Sequence, residues 1–209
     1  MTEYENREAI ENEAYRYWES FVDEITYHNR FNPHHPLPSF LKDYLRNHCV
    51  SVDAGTIYYR ARVIDYGNPE DNTTGFAKYV HHEEYGKFEG YDEKNSFVPP
   101  AKVATPGRAN PERIVYLYTA TDIITAIGET RPRIFDHISV AKIQLQRNCR
   151  FADFSSIERS DELSLDQAKM IEIERAFSRP CRENIDYIPT QYIAEFVKSL
   201  GYDGILFRS

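Results

Sequence analysis

The sequence predicts an α+β fold on three observations. A helical periodicity runs over residues 3–27, strand patterns recur at 56–64, 114–118, 137–146 and 204–207, and two capped helices lie between the last two strands. In the first segment Ile10, Ala14, Trp18, Phe21, Val22 and Ile25 keep the spacing of an amphipathic helix with a charged outer face, expected to pack as an appendage. Residues 29–39 hold three prolines and read as a loop, and 40–48 as a second short helix. In 56–64, TIYYRARVI, side chains alternate so that Arg60 and Arg62 share one face and Tyr59, Ala61 and Val63 the other. Either that face is solvated, or two guanidinium forks project into a pocket, where planar permanent cations suit a pyrophosphate.

Residues 65–102 are punctuated by Gly, Pro and Asn yet rich in Tyr and Phe. A connection this long in a compact domain is expected to fold down as a lid or to cover a binding site.

The stretch at 107–133, GRANPERIVYLYTATDIITAIGETRPR, organises the chain. An apolar strand at 114–118 ends on Tyr118, Thr121 or Asp122 caps the helix that follows, and Pro132 ends it. Ile123 and Ile127 lie one above the other and are expected to face the core, which puts Glu129 on the far side with Asp122 and Thr125. A carboxylate in the last turn opposes the helix dipole, which favours cations there by roughly 0.3–1 kcal/mol. Glu129 is therefore either a solvated residue offset by Arg131 or Arg133, or a carboxylate aimed into a cleft where positive charge develops.

Residues 137–146 read as a strand and 149–153 as a short extension. Ser164 and Gln167 form a capping box for a helix that buries Ala168, Ile171 and Phe177 and ends before Pro180. Thr190 is expected to cap the last helix, in which Ile193, Phe196, Val197 and Leu200 fall on one side and Gly201 closes the end.

Composition narrows the function. At 209 residues, 41% hydrophobic and 28% charged, the chain suits one sizeable domain, with residues 1–50 as a helical extension, and is not a disordered polymer. A net charge of −8 repels a phosphate backbone, so direct nucleic-acid binding is not expected. Sixteen Tyr and twelve Phe either fill the core and folded loops or line a stacking groove. No apolar run approaches the ~18 residues of a membrane span and no basic-then-apolar leader follows Met1, so a cytoplasmic chain without membrane attachment is expected. Cys49, Cys149 and Cys181 are widely spaced and read as reduced thiols. The pairs His34-His35 and His81-His82 lack ligand spacing, so no metal is expected.

Five segments in order, YYRAR at 58–62, GRANP at 107–111, YLYTATDIITAIGETRP at 116–132, DYIPTQYIAEF at 186–196 and GYDGILFRS at 201–209, give the chain its resemblance to a known family. It resembles the RES domain family, named for an arginine, a glutamate and a serine and best known as toxins encoded beside Xre-type antitoxins. The resemblance implies a RES domain over 51–209 with an insertion at about 65–102, and an ADP-ribosyltransferase-like mixed sheet with flanking helices. It identifies Arg60, Glu129 and Ser209 as the catalytic set, with Arg62, Arg108 and Tyr118 as further contacts to NAD⁺ and Arg62 as the alternative to Arg60. Family members continue past this serine into a further strand, and the present sequence ends at Ser209.

The implied reaction is cleavage of the nicotinamide–ribose bond of NAD⁺ by hydrolysis or phosphorolysis, depleting NAD⁺ and arresting growth. NAD⁺ is then substrate, not a resident cofactor, consistent with the lack of a Rossmann GxGxxG. Partners implied are NAD⁺ and an Xre-type antitoxin protein, and a homodimer is left open. The alternatives are ADP-ribose transfer to a protein, or a noncatalytic nucleotide- or partner-binding module that docks through its N-terminal helix.

Overall fold

The computed structural model describes residues 3–64, 90–134, 136–157, 162–179, 181 and 183–208. Most of the insertion expected to form a lid, the His81-His82 pair and Ser209 lie outside the described residues. Helices and small sheets of mixed direction make the fold α+β, and the chain divides into two compact units.

The first unit comprises Met1–Val52, Thr105–Ile114 and Asn148–Ser209. Its helices are α1 (Glu3–Asp23), which runs into a π-helical turn at Glu24–His28, α2 (Leu37–Leu45), α5 (Leu165–Ser178) and α6 (Ile188–Ser199). Its strands are β1 (Cys49–Val52), β4 (Cys149–Asp153) and β5 (Gly204–Leu206), ordered β1-β4-β5, with β1 antiparallel and β5 parallel to β4.

The apolar stripe of α1 decides how this unit is built. Ala14, Trp18, Phe21 and Ile25 are buried in one cluster with Leu37, Leu41 and Leu45 of α2, Met170, Ile173 and Phe177 of α5, and Ile193 and Val197 of α6. The expected appendage is thus part of the core. A helix with this much apolar surface on one side gains roughly 1.5–3 kcal/mol for each large side chain it removes from water, and α5 offers the matching surface.

Ser164 and Gln167 form the expected capping box, and Gly201 sits at φ 86°, a left-handed conformation that glycine adopts without steric cost. Thr190 does not cap α6. A 3₁₀ turn at Asn184–Tyr187 leads directly into the helix and Pro189 occupies its first turn, where a missing N–H costs nothing, so the start moves ahead of Thr190 and buries it. Next to the C-terminus, Arg208 Nε donates to the Ser155 carbonyl at 2.7 Å and lies 3.6 Å from the buried Glu174 carboxylate, while Ser178 Oγ donates to the Arg208 carbonyl at 2.7 Å.

The second unit, Asp53–Ala104 with Val115–Arg147, contains β2 (Ile57–Val63) and β3 (Ile138–Gln144), paired antiparallel from Ile57 opposite Gln144 to Val63 opposite Ile138. It also holds α3 (Glu93–Ser96), a 3₁₀ turn at Ala101–Val103, and α4 (Ile123–Glu129). No ladder forms over 114–118, where the sequence predicts a strand. Among the described residues the free edge of β2 takes only Ala120, which exchanges two 2.8 Å hydrogen bonds with Tyr59. Just before the expected strand Arg113 is turned to φ 66°, and the Ile114 carbonyl is held by Asn110 at 3.0 Å.

In α4, Asp122 caps as expected, accepting from Thr125 N–H at 2.8 Å and Thr125 Oγ1 at 2.7 Å, bonds that hold its carboxyl below the usual carboxylate range. The inward face differs from the isoleucine stripe expected. Ala126 is buried and Ile127 half-buried, while Ile123 and Ile124 are 42% and 84% exposed, so this two-turn helix meets its unit chiefly through a small side chain and with one of the two expected isoleucines. Among the described residues, no helix is long and apolar enough to cross a membrane.

Phe177 is fully buried against Phe154 and Phe207 at 5.6 and 5.5 Å between ring centroids. Phe177→Ala is expected to cost roughly 3–5 kcal/mol in denaturant unfolding. A pH effect follows from His35, whose Nδ1 accepts from Leu37 N–H at 3.1 Å, leaving Nε2 to donate to Ser20 Oγ at 3.0 Å. Burial lowers its pKa, against opposing contributions from Glu24 and a Tyr17 backbone hydrogen bond. The unfolded chain takes up the proton as pH falls through about 6.5, while the folded chain resists until lower pH, so stability is lost with acid in that window. Between about pH 7.5 and about pH 5.5 the melting temperature of the wild type is expected to fall more than that of His35→Gln.

Candidate functional site

Residues opposite one another in an antiparallel pair share a face, so the register groups Tyr58, Arg60 and Arg62 with Ile143, Ala141 and Ser139. This is the covered face of the sheet: Tyr58 and Ser139 are buried, whereas Val140 on the opposite face is exposed. The two arginines therefore do not stand on a solvated surface.

Their surroundings differ. Arg62 is engaged: its guanidinium lies 4.3 Å from the centre of the Tyr91 ring and donates to the Asn95 carbonyl. Tyr91 is held by its N–H to Ser139 Oγ at 2.8 Å and by its hydroxyl to the Val63 carbonyl at 3.3 Å. Gly90 precedes it because a Cβ there would come 2.8 Å from Ser139 Oγ. Arg60 is less committed. One Nη1 bond of 3.4 Å reaches the Tyr118 carbonyl, and the buried Nε has no hydrogen-bond partner. Burial, then the neighbouring Arg62, lower its pKa, yet a guanidinium remains cationic at any working pH. Among the described residues neither arginine has a carboxylate within ion-pair distance.

Glu129 is the last residue of α4 and is exposed. Its carboxylate has no hydrogen-bond or ion-pair partner among the described residues, so neither Arg131 nor Arg133 offsets it. The chain turns sharply after it: Thr130 and Arg131 donate to the Ile127 and Gly128 carbonyls, both at 3.0 Å, and Arg131 adopts φ 47° immediately before Pro132. Tyr118 is 37% exposed and contributes the carbonyl that meets Arg60.

The remaining assignments fall elsewhere. Arg108 belongs to the first unit, with its Cζ 5.8 Å from the centre of the Phe207 ring. Its charge opposes the burial and the Asp186 carboxylate that together push the Cys181 thiol up. The second unit thus holds Arg60, Arg62, Tyr118 and Glu129 and joins the first to the third by a hydrogen bond, while Arg108 lies in the first unit and Ser209 is outside the described residues.

Sequence reasoning missed the residues that support these. Tyr91 was one of many aromatics in an irregular stretch. Asn110 reads as a turn residue, yet it is only 5% exposed and its amide donates to the carbonyls of Thr105, Pro111 and Ile114 at 3.0, 3.2 and 3.0 Å. An asparagine between Gly107-Arg108 and Pro111 was the only available signal. Because Asn110→Ala would remove the buried amide that holds three carbonyls of the turn, it is expected to destabilise by about 1–3 kcal/mol, measured by thermal or denaturant unfolding.

A family model described as RES domain matches residues 80–209, more than half of the chain. The match includes Arg108, Tyr118, Glu129 and Ser209 and begins after Arg60 and Arg62. No curated protein and no solved structure matches the chain.

Proposed function

The chain belongs to the RES domain family, and from that premise we propose that it cleaves the nicotinamide–ribose bond of NAD⁺, by hydrolysis or phosphorolysis. The observation that carries this reading is Arg60: a guanidinium on a covered strand face beside a second cation, with a buried Nε unpaired and no acid beside it among the described residues. Leaving such a donor unpaired is unfavourable, and a diphosphate offers the matching pair of acceptors. Since Arg62 is spent on Tyr91 and Asn95, Arg60 is the better candidate for the substrate arginine.

In the proposed reaction the bond between ribose C1′ and the pyridinium nitrogen breaks, and its electron pair goes to that nitrogen, releasing neutral nicotinamide. Positive charge is left on the ribose as an oxocarbenium, which water or phosphate then captures at C1′. A placed carboxylate lowers the barrier by stabilising that charge where it forms. Glu129, with no competing partner among the described residues, is suited to accept a hydrogen bond from a ribose hydroxyl and to face the developing cation. Tyr118 offers an aromatic surface to the nicotinamide or ribose end, and its carbonyl steadies Arg60. Arg108 and Ser209 remain assignments of the resemblance. So do the cytoplasmic location, growth arrest through NAD⁺ depletion and restraint by an Xre-type antitoxin. ADP-ribose transfer to a protein uses the same bond cleavage with a different acceptor.

The test is nicotinamide release from NAD⁺ by the purified chain, with and without phosphate. Glu129→Gln is expected to lower kcat by about 10²–10³ without changing the melting temperature. Arg60→Met is expected chiefly to raise KM. Turnover retained in Glu129→Gln would overturn the assigned role, and a phosphate requirement would select phosphorolysis.

A further inference from the structure

The segment at residues 90–96 is anchored so as to hold one guanidinium. Tyr91 N–H donates to Ser139 Oγ at 2.8 Å, its hydroxyl donates to the Val63 carbonyl at 3.3 Å, and Ser96 Oγ donates to its carbonyl at 3.0 Å. Ser96 and Ser139 are buried, so water competes little for these bonds. Asp92 caps α3 by accepting from Asn95 N–H at 2.8 Å, which fixes the residue whose carbonyl accepts from Arg62. The Tyr91 ring covers the same guanidinium, with its centre 4.3 Å from the Arg62 Cζ. Both groups that meet Arg62 are neutral. A ring face and a carbonyl replace part of the water that a covered cation loses, and neither cancels its charge. Arg60 stands two residues away on the same face, with its buried Nε unpaired, and no carboxylate among the described residues lies within ion-pair distance of either arginine. Two like charges under cover are unfavourable in themselves, and an anion between or before them removes that cost.

We propose that Tyr91 is a positioning residue that fixes Arg62 as a second positive charge beside Arg60, so that the covered face of β2 receives a doubly negative group, Arg60 supplying hydrogen bonds and Arg62 charge. The inference rests on the NAD⁺ reading above, in which that group is the diphosphate, and it draws on residues of the second unit alone. A cation held before the ligand arrives loses less freedom on binding than one that must be ordered, so the contribution of Tyr91 belongs to KM and not to kcat. The aromatic face is the part required: phenylalanine keeps it over Arg62 and leucine does not.

The experiment compares Tyr91→Leu, Tyr91→Phe and Ser139→Ala with the wild type in nicotinamide release from NAD⁺ and in calorimetric binding of ADP-ribose, with melting temperatures recorded for each. Tyr91→Leu is expected to raise KM and the ADP-ribose Kd about tenfold with kcat within about twofold, while Tyr91→Phe stays near wild type. Ser139→Ala, which removes the anchor of Tyr91 N–H, shifts KM and Kd the same way by about threefold. In an Arg62→Met background Tyr91→Leu should have almost no further effect, because the ring acts through that guanidinium. The wild-type Kd should also climb more steeply with ionic strength than that of Arg62→Met, which has lost a charge facing the anion. Unchanged KM and Kd in folded Tyr91→Leu would overturn the inference while leaving the NAD⁺ reading intact. So would an undiminished effect in the Arg62→Met background, Tyr91→Phe failing like Tyr91→Leu, or equal salt dependence. ADP-ribose binding that depends on Tyr91 in a chain that releases no nicotinamide would uphold the inference and overturn the cleavage reading. Should Tyr91→Leu not fold, Ser139→Ala carries the comparison, and its effect must likewise vanish in the Arg62→Met background. A wild type that neither binds ADP-ribose nor releases nicotinamide would overturn both.

Discussion

Arg60 and Arg62 extend from the same face of one strand, and bringing two like charges under cover is the constraint that the second unit is built to meet. Desolvation and mutual repulsion both work against the pair, as the depressed Arg60 pKa reflects. One half of the problem is met internally. The segment that begins at Gly90 lies close enough for Tyr91 to spread its ring beneath Arg62 and for Asn95 to offer a carbonyl. The other half is met only in part, by a single long bond from Arg60 to Tyr118. Neighbouring arginines thus have different surroundings, one engaged by Tyr91 and Asn95 and one with a donor unpaired among the described residues.

In the first unit several buried polar groups are engaged by specific partners. Asn110 sits inside the 107–110 turn and saturates itself on three carbonyls, and the buried Glu172 and Glu174 of α5 meet Arg175 and Arg208. Buried polar groups paired in this manner define one arrangement sharply, because each alternative strands a donor or an acceptor in a place water does not reach. Rigidity of this kind suits a turn whose exposed product is one arginine side chain.

Much of this was legible in the sequence where a periodic pattern and a stop signal coincided. The capping box at Ser164, the cap at Asp122, the left-handed Gly201 and the alternation across Tyr58–Arg62 all specify local geometry through side chains acting on their own backbone. The failures share a cause as well. Residues 114–118 have strand propensity, but a strand is a partnership, and from this stretch β2 takes up Ala120 and none of 114–118. Ile123 and Ile127 have helical spacing, yet which side of a two-turn helix is covered depends on what it packs against, and Ala126 made the contact. In the candidate site, Arg60, Arg62, Tyr118 and Glu129 could be named from residue type and motif. Tyr91 could not, since its importance arises from contacts 28 to 48 positions away along the chain, with Val63, Arg62 and Ser139.

The placement of α1 and β2 separates two meanings of the word domain. The match to the family begins at residue 80. The unit that excludes water is larger: Phe21, Ile25, Leu37 and Leu41 precede the signature yet lie at the centre of the first core, and the strand that pairs with β3 precedes it too. A gene fragment cut at residue 80 would encode an open apolar surface in one unit and an unpaired sheet edge in the other. The matched piece is thus completed, in its core and in its sheet, by residues that come before it.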